Sequence, residues 1–197
     1  MDITEAIQTR FSCRNFSDKE LSNSIINEIL EAARYAPSPK NRQPWRFLVL
    51  RNVQKREFEE LLKISEDPQM YMSPQSEKLK EWNSWESTFR AIKESDTVVL
   101  IFNRYPSNYV MNSTNLLFDL TNVQAIGAAI QNMLLKATAM GIGSLWICDI
   151  FSHYHKICSH YYPEGQLIAA VAFGYPKTRS SSHSTRKSLT ELIISEV

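Results

Sequence analysis

The sequence of 197 residues is poor in glycine, poor in cysteine and almost without net charge. Its five glycines provide no G-x-G-x-x-G run, which excludes the phosphate-binding turn of a Rossmann dinucleotide fold. The cysteines Cys13, Cys148 and Cys158 lack paired spacing, which argues against a disulfide framework. Lys and Arg number 22 and Asp and Glu number 21, so the formal charge of +1 implies no bulk attraction to nucleic acid or to a membrane surface.

Long apolar segments are missing as well. No stretch approaches the roughly 20 uninterrupted apolar residues of a membrane-spanning helix. The first segment, MDITEAIQTRF, has no apolar region of the kind found in a secretory signal. The length fits one domain, and neither a linker nor a repeat divides it. We therefore expect residues 1–197 to form a single cytoplasmic domain.

The most apolar part of the chain runs from residue 123 to residue 140 and predicts a buried helix. At about 100° per residue its apolar side chains leave only a narrow polar stripe, formed by Gln124, Gln131, Lys136 and Thr138. Two glycines end this helix, and the apolar run SLWICDI follows as a predicted buried strand. A single domain of this length has few surfaces to cover such a helix, so a partner subunit could contribute one.

Helical and strand patterns alternate along the rest of the chain. Apolar periodicity predicts helices over 3–10, 17–36, 53–64, 76–92 and 152–162, with Thr4 or Asp2 capping the first and Ser17 or Asp18 the second. The runs WRFLVLR, TVVLIFNR and QLIAAVAFG predict three further strands, and LTELIISEV predicts a final strand or short helix. Four strands separated by helices favour a mixed or parallel sheet with helices on both faces.

The segment Arg10-Phe11-Ser12-Cys13-Arg14 follows the first predicted helix. If the chain continues extended, positions 10, 12 and 14 point to one side, roughly 7 Å apart for each pair, while Phe11 and Cys13 point inward. Two guanidinium groups and a hydroxyl on one side suit a phosphate, because arginine offers planar paired donors to its oxygens. Arg10 could instead only complement the carboxyl end of a helix dipole.

A loop with three prolines, APSPKNRQPW, precedes the first strand. Prolines stiffen this loop, so the side chains of Ser38, Asn41 and Gln43 are held at fixed positions. Rigid hydroxyl and amide groups suit the polar edge of a heterocycle, on which donors and acceptors alternate. An ordinary connection between a helix and a strand would explain the same loop.

Two other clusters favour structural roles. One cluster has the spacing of metal ligands and consists of His153, His155, Cys158 and His160. Helical geometry turns Cys158 inward and turns His153 and His160 away from the core, which argues against a metal site. Cys148 is better explained as a packed thiol than as a nucleophile. The aromatic stripe Trp82, Trp85 and Phe89 fits core packing, with the wall of a substrate pocket as the alternative.

Taken together, these blocks resemble the FMN-dependent nitroreductase family. The family's pattern contains RxSxR-x-F after a helix and APSxxNxQPW before a strand, and both are present. The stretch GAAIQNMLLKATAMGIGSLWI resembles its central helix and following strand, and LIAAVAFGYP with a basic tail resembles its C-terminal signature. The blocks occur in the family's order and span nearly the whole chain. The polar contacts that some members make from the middle of the chain have no clear match.

The resemblance implies an α+β fold in which helices flank a mixed central sheet. It also implies a homodimer, with the long buried central helix at the subunit interface and two FMN molecules bound there. By position, Arg10, Ser12 and Arg14 match residues that hold the FMN ribityl phosphate. Arg186 in STRKS matches a basic residue that joins them, and Lys187 is the adjacent alternative.

Two further sets of flavin contacts follow from the same resemblance. Ser38, Asn41 and Gln43 match groups that reach the flavin from the other subunit. Cys148 and Asp149 fall where backbone amides approach the reactive edge of the isoalloxazine ring.

The implied activity is that of a flavin oxidoreductase. NADH or NADPH would pass hydride to FMN, and a small acceptor such as a nitroaromatic, a quinone or an enone would then take electrons in the same pocket. The cofactor carries this chemistry, so we expect no catalytic acid or base side chain. Two alternatives stay open. One is an FMN storage or redox-sensing protein with little turnover, and the other is an interaction module in which the motifs are coincidental.

Overall fold

The computed structural model describes residues 1–63, 85–106, 113–178 and 185–194, which form seven α-helices and a four-stranded sheet. The helices are α1 (Ile3–Thr9), α2 (Asn23–Arg34), α3 (Asn52–Lys63), α4 (Trp85–Glu94), α5 (Ser113–Ala139), α6 (Tyr154–Tyr161) and α7 (Leu189–Leu192). The strands are β1 (Trp45–Leu50), β2 (Thr97–Asn103), β3 (Gly143–Ile147) and β4 (Gln166–Gly174). Short 3-10 helices span Pro39–Asn41 and Asp149–His153. The expected α+β class is confirmed.

The sheet has the order β1-β2-β4-β3, and its three ladders are antiparallel. These antiparallel ladders differ from the mixed or parallel sheet that the alternating helices and strands favoured. Strands β2 and β3 do run in the same direction and are joined by α5, but β4 inserts between them and pairs with both. Among the described residues, parallel pairing occurs at a single bridge between Ser12 and Ser144.

Helices cover both faces of the sheet and bury two apolar clusters. Alternation along β2 sends Val99 and Ile101 towards α2 and α5, and sends Leu100 and Phe102 towards the opposite face. On that opposite face the cluster includes apolar residues of α3, α4 and α6. Every residue of β2 is buried, so this strand lies at the centre of the domain.

The central helix α5 is longer than predicted, with 27 residues and a length of about 40 Å. One face of its second half is buried against α2 and the sheet. The all-round burial that the apolar pattern predicted is not reached within one chain, since Leu135 and Met140 are only partly buried and Ala139 is exposed. Its first half exposes four large apolar side chains, Leu117, Phe118, Leu120 and Val123. The single chain therefore leaves part of this helix uncovered.

Helix α2 begins later than predicted because the preceding chain is held extended. The Ser17 N–H donates to the Tyr175 carbonyl at 2.8 Å, and Leu21 is buried. Ser22, rather than Ser17 or Asp18, caps α2 by accepting from the Ile25 N–H. Asp2 caps α1, as one of the two sequence candidates predicted.

Other predicted elements end close to where their patterns end. Strand β3 stops at Ile147, so Cys148 and Asp149 lie just beyond it and lead into a 3-10 helix. The tail 189–197 forms the short helix α7 over its described part. The predicted helix from residue 76 is observed from Trp85 onward, and residues 76–84 lie outside the described ranges. No described helix is long and apolar enough to cross a membrane.

The extended segment after α1 docks on the sheet through one close contact. The Cys13 N–H donates to the Ser144 carbonyl at 2.9 Å, and the Cys13 side chain occupies the space beside Gly143. A β-carbon added at Gly143 would lie 2.8 Å from the Cys13 sulfur and 2.9 Å from its β-carbon. Glycine is therefore required here for close packing of the segment.

We expect Gly143→Ala to destabilise the protein by about 1–3 kcal/mol, because the added methyl group overpacks a contact that includes a fixed β-carbon. Gly127→Ala is the matched control, since its new β-carbon would meet only Trp146 at 3.9 Å, an ordinary contact. Alanine also favours a helix interior, so this control should be neutral or stabilising. Chemical denaturation measures both, and a Gly143→Ala variant as stable as the control would contradict the packing argument.

Candidate functional site

The segment from Arg10 to Arg14 alternates as its sequence predicts. Cys13 is 2 % exposed and Phe11 packs against the core, while Ser12 and Arg14 are exposed. Arg10 is half-buried and ends α1, with its N–H donating to the Ala6 carbonyl. The outward-facing set of positions 10, 12 and 14 therefore forms along the chain beside β3.

Arg14 lines a small cavity of about 160 Å³ at the end of β3. The rest of the lining is Thr88 and the run Leu145, Trp146, Ile147, Cys148 and Asp149. The structure thus brings Arg14 together with Cys148 and Asp149, which the sequence assigned to one site from two distant motifs. This cavity is too small for a whole fused ring system and fits the edge of one.

A larger cavity of about 670 Å³ adjoins the small one. Trp146 and Cys148 line both cavities, so they stand at the boundary between them. The larger cavity is lined mainly by apolar and aromatic side chains, namely Val123, Gly127, Phe151, Tyr154, Leu167 and Ile168, together with His155 and Gln166. A polar recess thus opens beside an apolar chamber, a common arrangement in small-molecule sites.

Thr88 is the residue that sequence reasoning missed. It lies on α4, is 7 % exposed, and its hydroxyl donates to Asp149 Oδ2 at 2.8 Å. In the sequence Thr88 has the same helical spacing as Trp85 and Ile92, so the pattern predicts a core residue at this position. A single polar residue inside an otherwise apolar stripe was the available signal, because a buried hydroxyl needs a partner.

A second contact between α4 and the 3-10 helix lies one turn earlier. The rings of Trp85 and His153 stack with centroids 4.6 Å apart. His153 is only 5 % exposed, which corrects the prediction that it points away from the protein. The Ser152 hydroxyl donates to the Asp149 carbonyl at 3.0 Å and also contacts His153 Nδ1. The chain after Cys148 is therefore held by the ring stack with α4 and by the Ser152 bond within the 3-10 helix.

The orientations predicted for Cys158 and His160 agree with the structure. Cys158 is buried, and His160 is exposed. No group of potential metal ligands is found within the described ranges. Trp85 and Phe89 pack against the core, as expected, while Trp82 lies outside the described ranges.

The exposed residue Cys148 carries a poorly activated thiol. Desolvation of its sulfur, and secondarily the charge of Asp149, raise the pKa of the Cys148 thiol. A thiol with a raised pKa is largely protonated at neutral pH and is a weak nucleophile. This agrees with the prediction that Cys148 is not a nucleophile. The structure corrects the prediction of a packed thiol in a strand, because Cys148 lies beyond β3, is exposed and lines both cavities.

The loop that precedes β1 is rigid and strained. Lys40, Asn41 and Gln43 have φ values of 54°, 54° and 48°, a region that non-glycine residues rarely adopt. Ser38 Oγ accepts from the Gln43 N–H at 3.0 Å, and Gln43 Nε2 donates to Asn41 Oδ1 at 3.1 Å. The Arg42 guanidinium lies 4.2 Å from the Phe118 ring centroid and so ties the loop to α5. Strain of this kind often marks a functional site.

This loop and the small cavity lie at the same end of the sheet but on opposite edges. Trp45 of β1 pairs with Asn103 of β2, and Asn103 pairs with Gln166 of β4. Strand β3, which leads to Cys148, is the outer strand on the other side. Three strand spacings separate β1 from β3, a distance of about 14 Å. Within one chain, therefore, Ser38, Asn41 and Gln43 are not beside Arg14.

Arg186 precedes α7 and is exposed, as is Lys187. Within the described part of the chain, neither residue is among those that line the two cavities. The predicted association of Arg186 with Arg10 and Arg14 stays a prediction.

Comparison with known proteins places this geometry in a family. The model of the nitroreductase family matches residues 7–175. A relative from Archaeoglobus fulgidus, named for NADH dehydrogenase or NAD(P)H nitroreductase, is 29% identical over 182 residues, which cover 87% of this chain and 83% of the relative.

Solved structures agree with that match. A nitroreductase from Desulfovibrio desulfuricans, crystallised in complex with FMN, superposes with a TM-score of 0.75 at 27% identity and covers 100% of this chain and 98% of its own. A BluB-like flavoprotein from Clostridium difficile superposes with a TM-score of 0.70 at 24% identity over the full length of both chains, which supports the fold. Because the family model matches residues 7–175, most of the sequence, the chain belongs to the nitroreductase family.

Proposed function

We propose that this protein is an FMN-dependent oxidoreductase that takes hydride from NADH or NADPH and passes electrons to a small acceptor in one shared pocket. A nitroaromatic, a quinone or an enone has the size and polarity for such an acceptor. The observation that carries the proposal is the pair of adjoining cavities at the end of β3, one polar around Arg14 and one apolar. Family membership and the FMN complex of a relative support it.

The residues present fit FMN in their chemistry. The cofactor combines a charged phosphate, a polar pyrimidine edge and an apolar dimethylbenzene end. The described chain offers guanidinium donors, a small recess with polar side chains, and an apolar chamber beside it.

The extended run from Arg10 to Arg14 matches the length of the cofactor. Positions 10 and 14 lie about 13 Å apart in an extended chain, which is similar to the reach from a phosphate to a flavin ring. We place Arg10 at the phosphate with Arg186, or its neighbour Lys187, and Ser12 along the ribityl chain. Arg14 then lies at the ring, because it lines the same recess as Asp149. The sequence pattern assigned Arg10, Ser12 and Arg14 to the phosphate, whereas this placement moves Arg14 to the ring.

The backbone at Cys148 and Asp149 lies where the two cavities meet. We propose that its amide groups donate hydrogen bonds to the reactive edge of the ring. Bound FMN supplies the hydride chemistry itself, so no catalytic acid or base is assigned. The apolar chamber, with Trp146, Phe151 and Tyr154 in its lining, excludes water and receives flat substrates.

We further propose that the site is completed by a second copy of the chain. Ser38, Asn41 and Gln43 lie about 14 Å across the sheet from β3, so they serve the site of the partner rather than their own. The exposed apolar residues Leu117, Leu120 and Val123 provide a surface for association, and Arg42 links the loop to that surface through Phe118. A two-fold axis would then create two equivalent sites.

The central test is spectroscopic. We expect the purified protein to show a flavin absorption spectrum, and anaerobic NADH or NADPH should bleach it. Adding an acceptor should restore the spectrum over repeated cycles. A protein that binds FMN but is not bleached by either nicotinamide would favour storage or sensing, and a protein that binds no FMN would contradict the proposal.

Two arginine variants test the placement of FMN. Arg10→Ala should weaken FMN binding about 10- to 100-fold and leave riboflavin binding unchanged, because it removes a charged hydrogen bond to the phosphate only. Arg14→Ala should weaken FMN and riboflavin to a similar degree. Quenching of flavin fluorescence by the apoprotein measures each affinity.

Arg34→Ala is the matched control, since Arg34 is exposed on α2 and pairs with Glu31 at the surface. It should change neither affinity. An Arg10→Ala variant that loses stability yet keeps the preference for FMN would show that Arg10 serves only the helix end. Loss of the FMN preference in Arg14→Ala would place Arg14 at the phosphate.

Association is tested on the exposed half of α5. We expect Leu120→Arg to convert a dimer into a monomer and to lower FMN affinity at the same time, because one interface forms both sites. Val53→Arg is the control, since Val53 is an equally apolar exposed residue on α3. Light scattering measures the mass. A monomeric wild-type protein that binds FMN tightly would contradict the shared site.

A further inference from the structure

The hydrogen bond between Thr88 and Asp149 fixes which kind of group the small cavity can recognise. A threonine hydroxyl has one proton, and Thr88 donates it to Asp149 Oδ2 at 2.8 Å. Towards a ligand, the Thr88 oxygen can therefore only accept. An ionised carboxylate likewise only accepts. The side chains of Thr88 and Asp149 thus offer a ligand in this cavity only hydrogen-bond acceptors.

Arg14 lines the same cavity and supplies hydrogen-bond donors instead of acceptors. Its guanidinium group has donors and no acceptor. A ligand edge that satisfies the cavity must offer a donor towards Thr88 and an acceptor towards Arg14. An imide, in which an N–H lies between two carbonyl groups, has this alternation.

The size of the cavity points to the same group. About 160 Å³ accommodates the edge of a ring, and the adjoining chamber of about 670 Å³ accommodates an apolar remainder. The oxidised isoalloxazine ring has a single N–H, at N3, and it lies between the carbonyl groups at C2 and C4. We propose that Thr88 Oγ1 accepts the hydrogen bond from flavin N3–H and that Asp149 is the positioning residue that turns the Thr88 proton away. This inference rests on the proposed binding of FMN.

The pair is held rigidly enough for this role. Trp85, one turn before Thr88 on α4, stacks on His153, and Ser152 donates to the carbonyl of Asp149. The ring stack fixes α4 against the 3-10 helix one turn from the Thr88–Asp149 bond, and the Ser152 bond holds the 3-10 helix itself in shape. A preorganised acceptor loses little freedom when it binds a ligand, so its selectivity is expected to be large.

The experiment compares FMN with 3-methyl-FMN, in which a methyl group replaces the N3 proton. Affinities are measured by quenching of flavin fluorescence with full-length apoprotein, so the result does not depend on turnover. The wild-type protein should bind FMN at least about tenfold more tightly than 3-methyl-FMN, because methylation leaves a buried acceptor unpaired. Thr88→Val should bring the ratio of the two affinities to within about threefold, and Thr88→Ser should retain the wild-type ratio.

Two further variants separate recognition from structure. Asp149→Asn should reduce the ratio, because an amide no longer forces the Thr88 hydroxyl to donate to it. Thr97→Val removes a similar bond, from the Thr97 hydroxyl to Asp96 Oδ2 at 2.6 Å, at the opposite end of the sheet, and should leave the ratio unchanged. Thermal unfolding of each variant measures the purely structural loss.

The outcomes are distinct. If wild-type protein binds FMN and 3-methyl-FMN equally well, the recognition of N3–H is overturned while the binding of FMN stands. If Thr88→Val weakens both flavins and the ratio stays at the wild-type value, Thr88 is only structural and the inference is again overturned. If neither flavin binds the wild-type protein, the proposed function and this inference fail together.

Discussion

The contact between Cys13 and Gly143 determines where the candidate site forms. The Cys13 side chain lies where a side chain at position 143 would be, and its N–H is bonded to Ser144. Because alternate residues of an extended chain point in opposite directions, burying Cys13 sends Ser12 and Arg14 outward. Arg14 then reaches the end of β3, where Cys148 and Asp149 leave the sheet. A protein with only five glycines uses one of them for this approach.

The sequence predicted the elements better than their arrangement. Strands β1, β2 and β4 fall where apolar runs predicted them, because a buried strand is recognisable from a few adjacent residues. The insertion of β4 between β2 and β3 has no local signal, since it depends on pairing between residues far apart in the chain. His153 was assigned outward as if one regular helix ran through 153–160. It belongs to a 3-10 helix with a shorter repeat, which turns its ring towards Trp85.

The same contrast applies to the candidate site. Guanidinium and hydroxyl groups that alternate along the segment after α1 were enough to select Arg10, Ser12 and Arg14. Cys148 and Asp149 followed only from the resemblance to the family. Thr88 could not be selected in this way, because its spacing on α4 matches that of core residues. A lone polar residue in an apolar stripe signals only that its hydroxyl needs a partner, and the fold identifies that partner as Asp149, which is far away in sequence. Periodicity identifies the buried face of a helix, but it does not distinguish a packed residue from one that lines a cavity on that face.

The width of the sheet separates two parts of the proposed site. The loop with Ser38, Asn41 and Gln43 and the recess around Arg14 occupy opposite edges of the sheet. The proposed site therefore takes the loop from one chain and the recess from the other. The loop is ready for this use before a partner arrives, because Gln43 already bonds to Ser38 and Asn41. Arg42 packs on Phe118, so the loop is fixed to the exposed half of α5. In the proposed dimer the apolar side chains of that half drive association, and the same movement carries the loop to the partner's recess. Cofactor affinity is then coupled to dimerisation, because each proposed site needs groups from both chains, and the preformed loop lowers the ordering cost of binding.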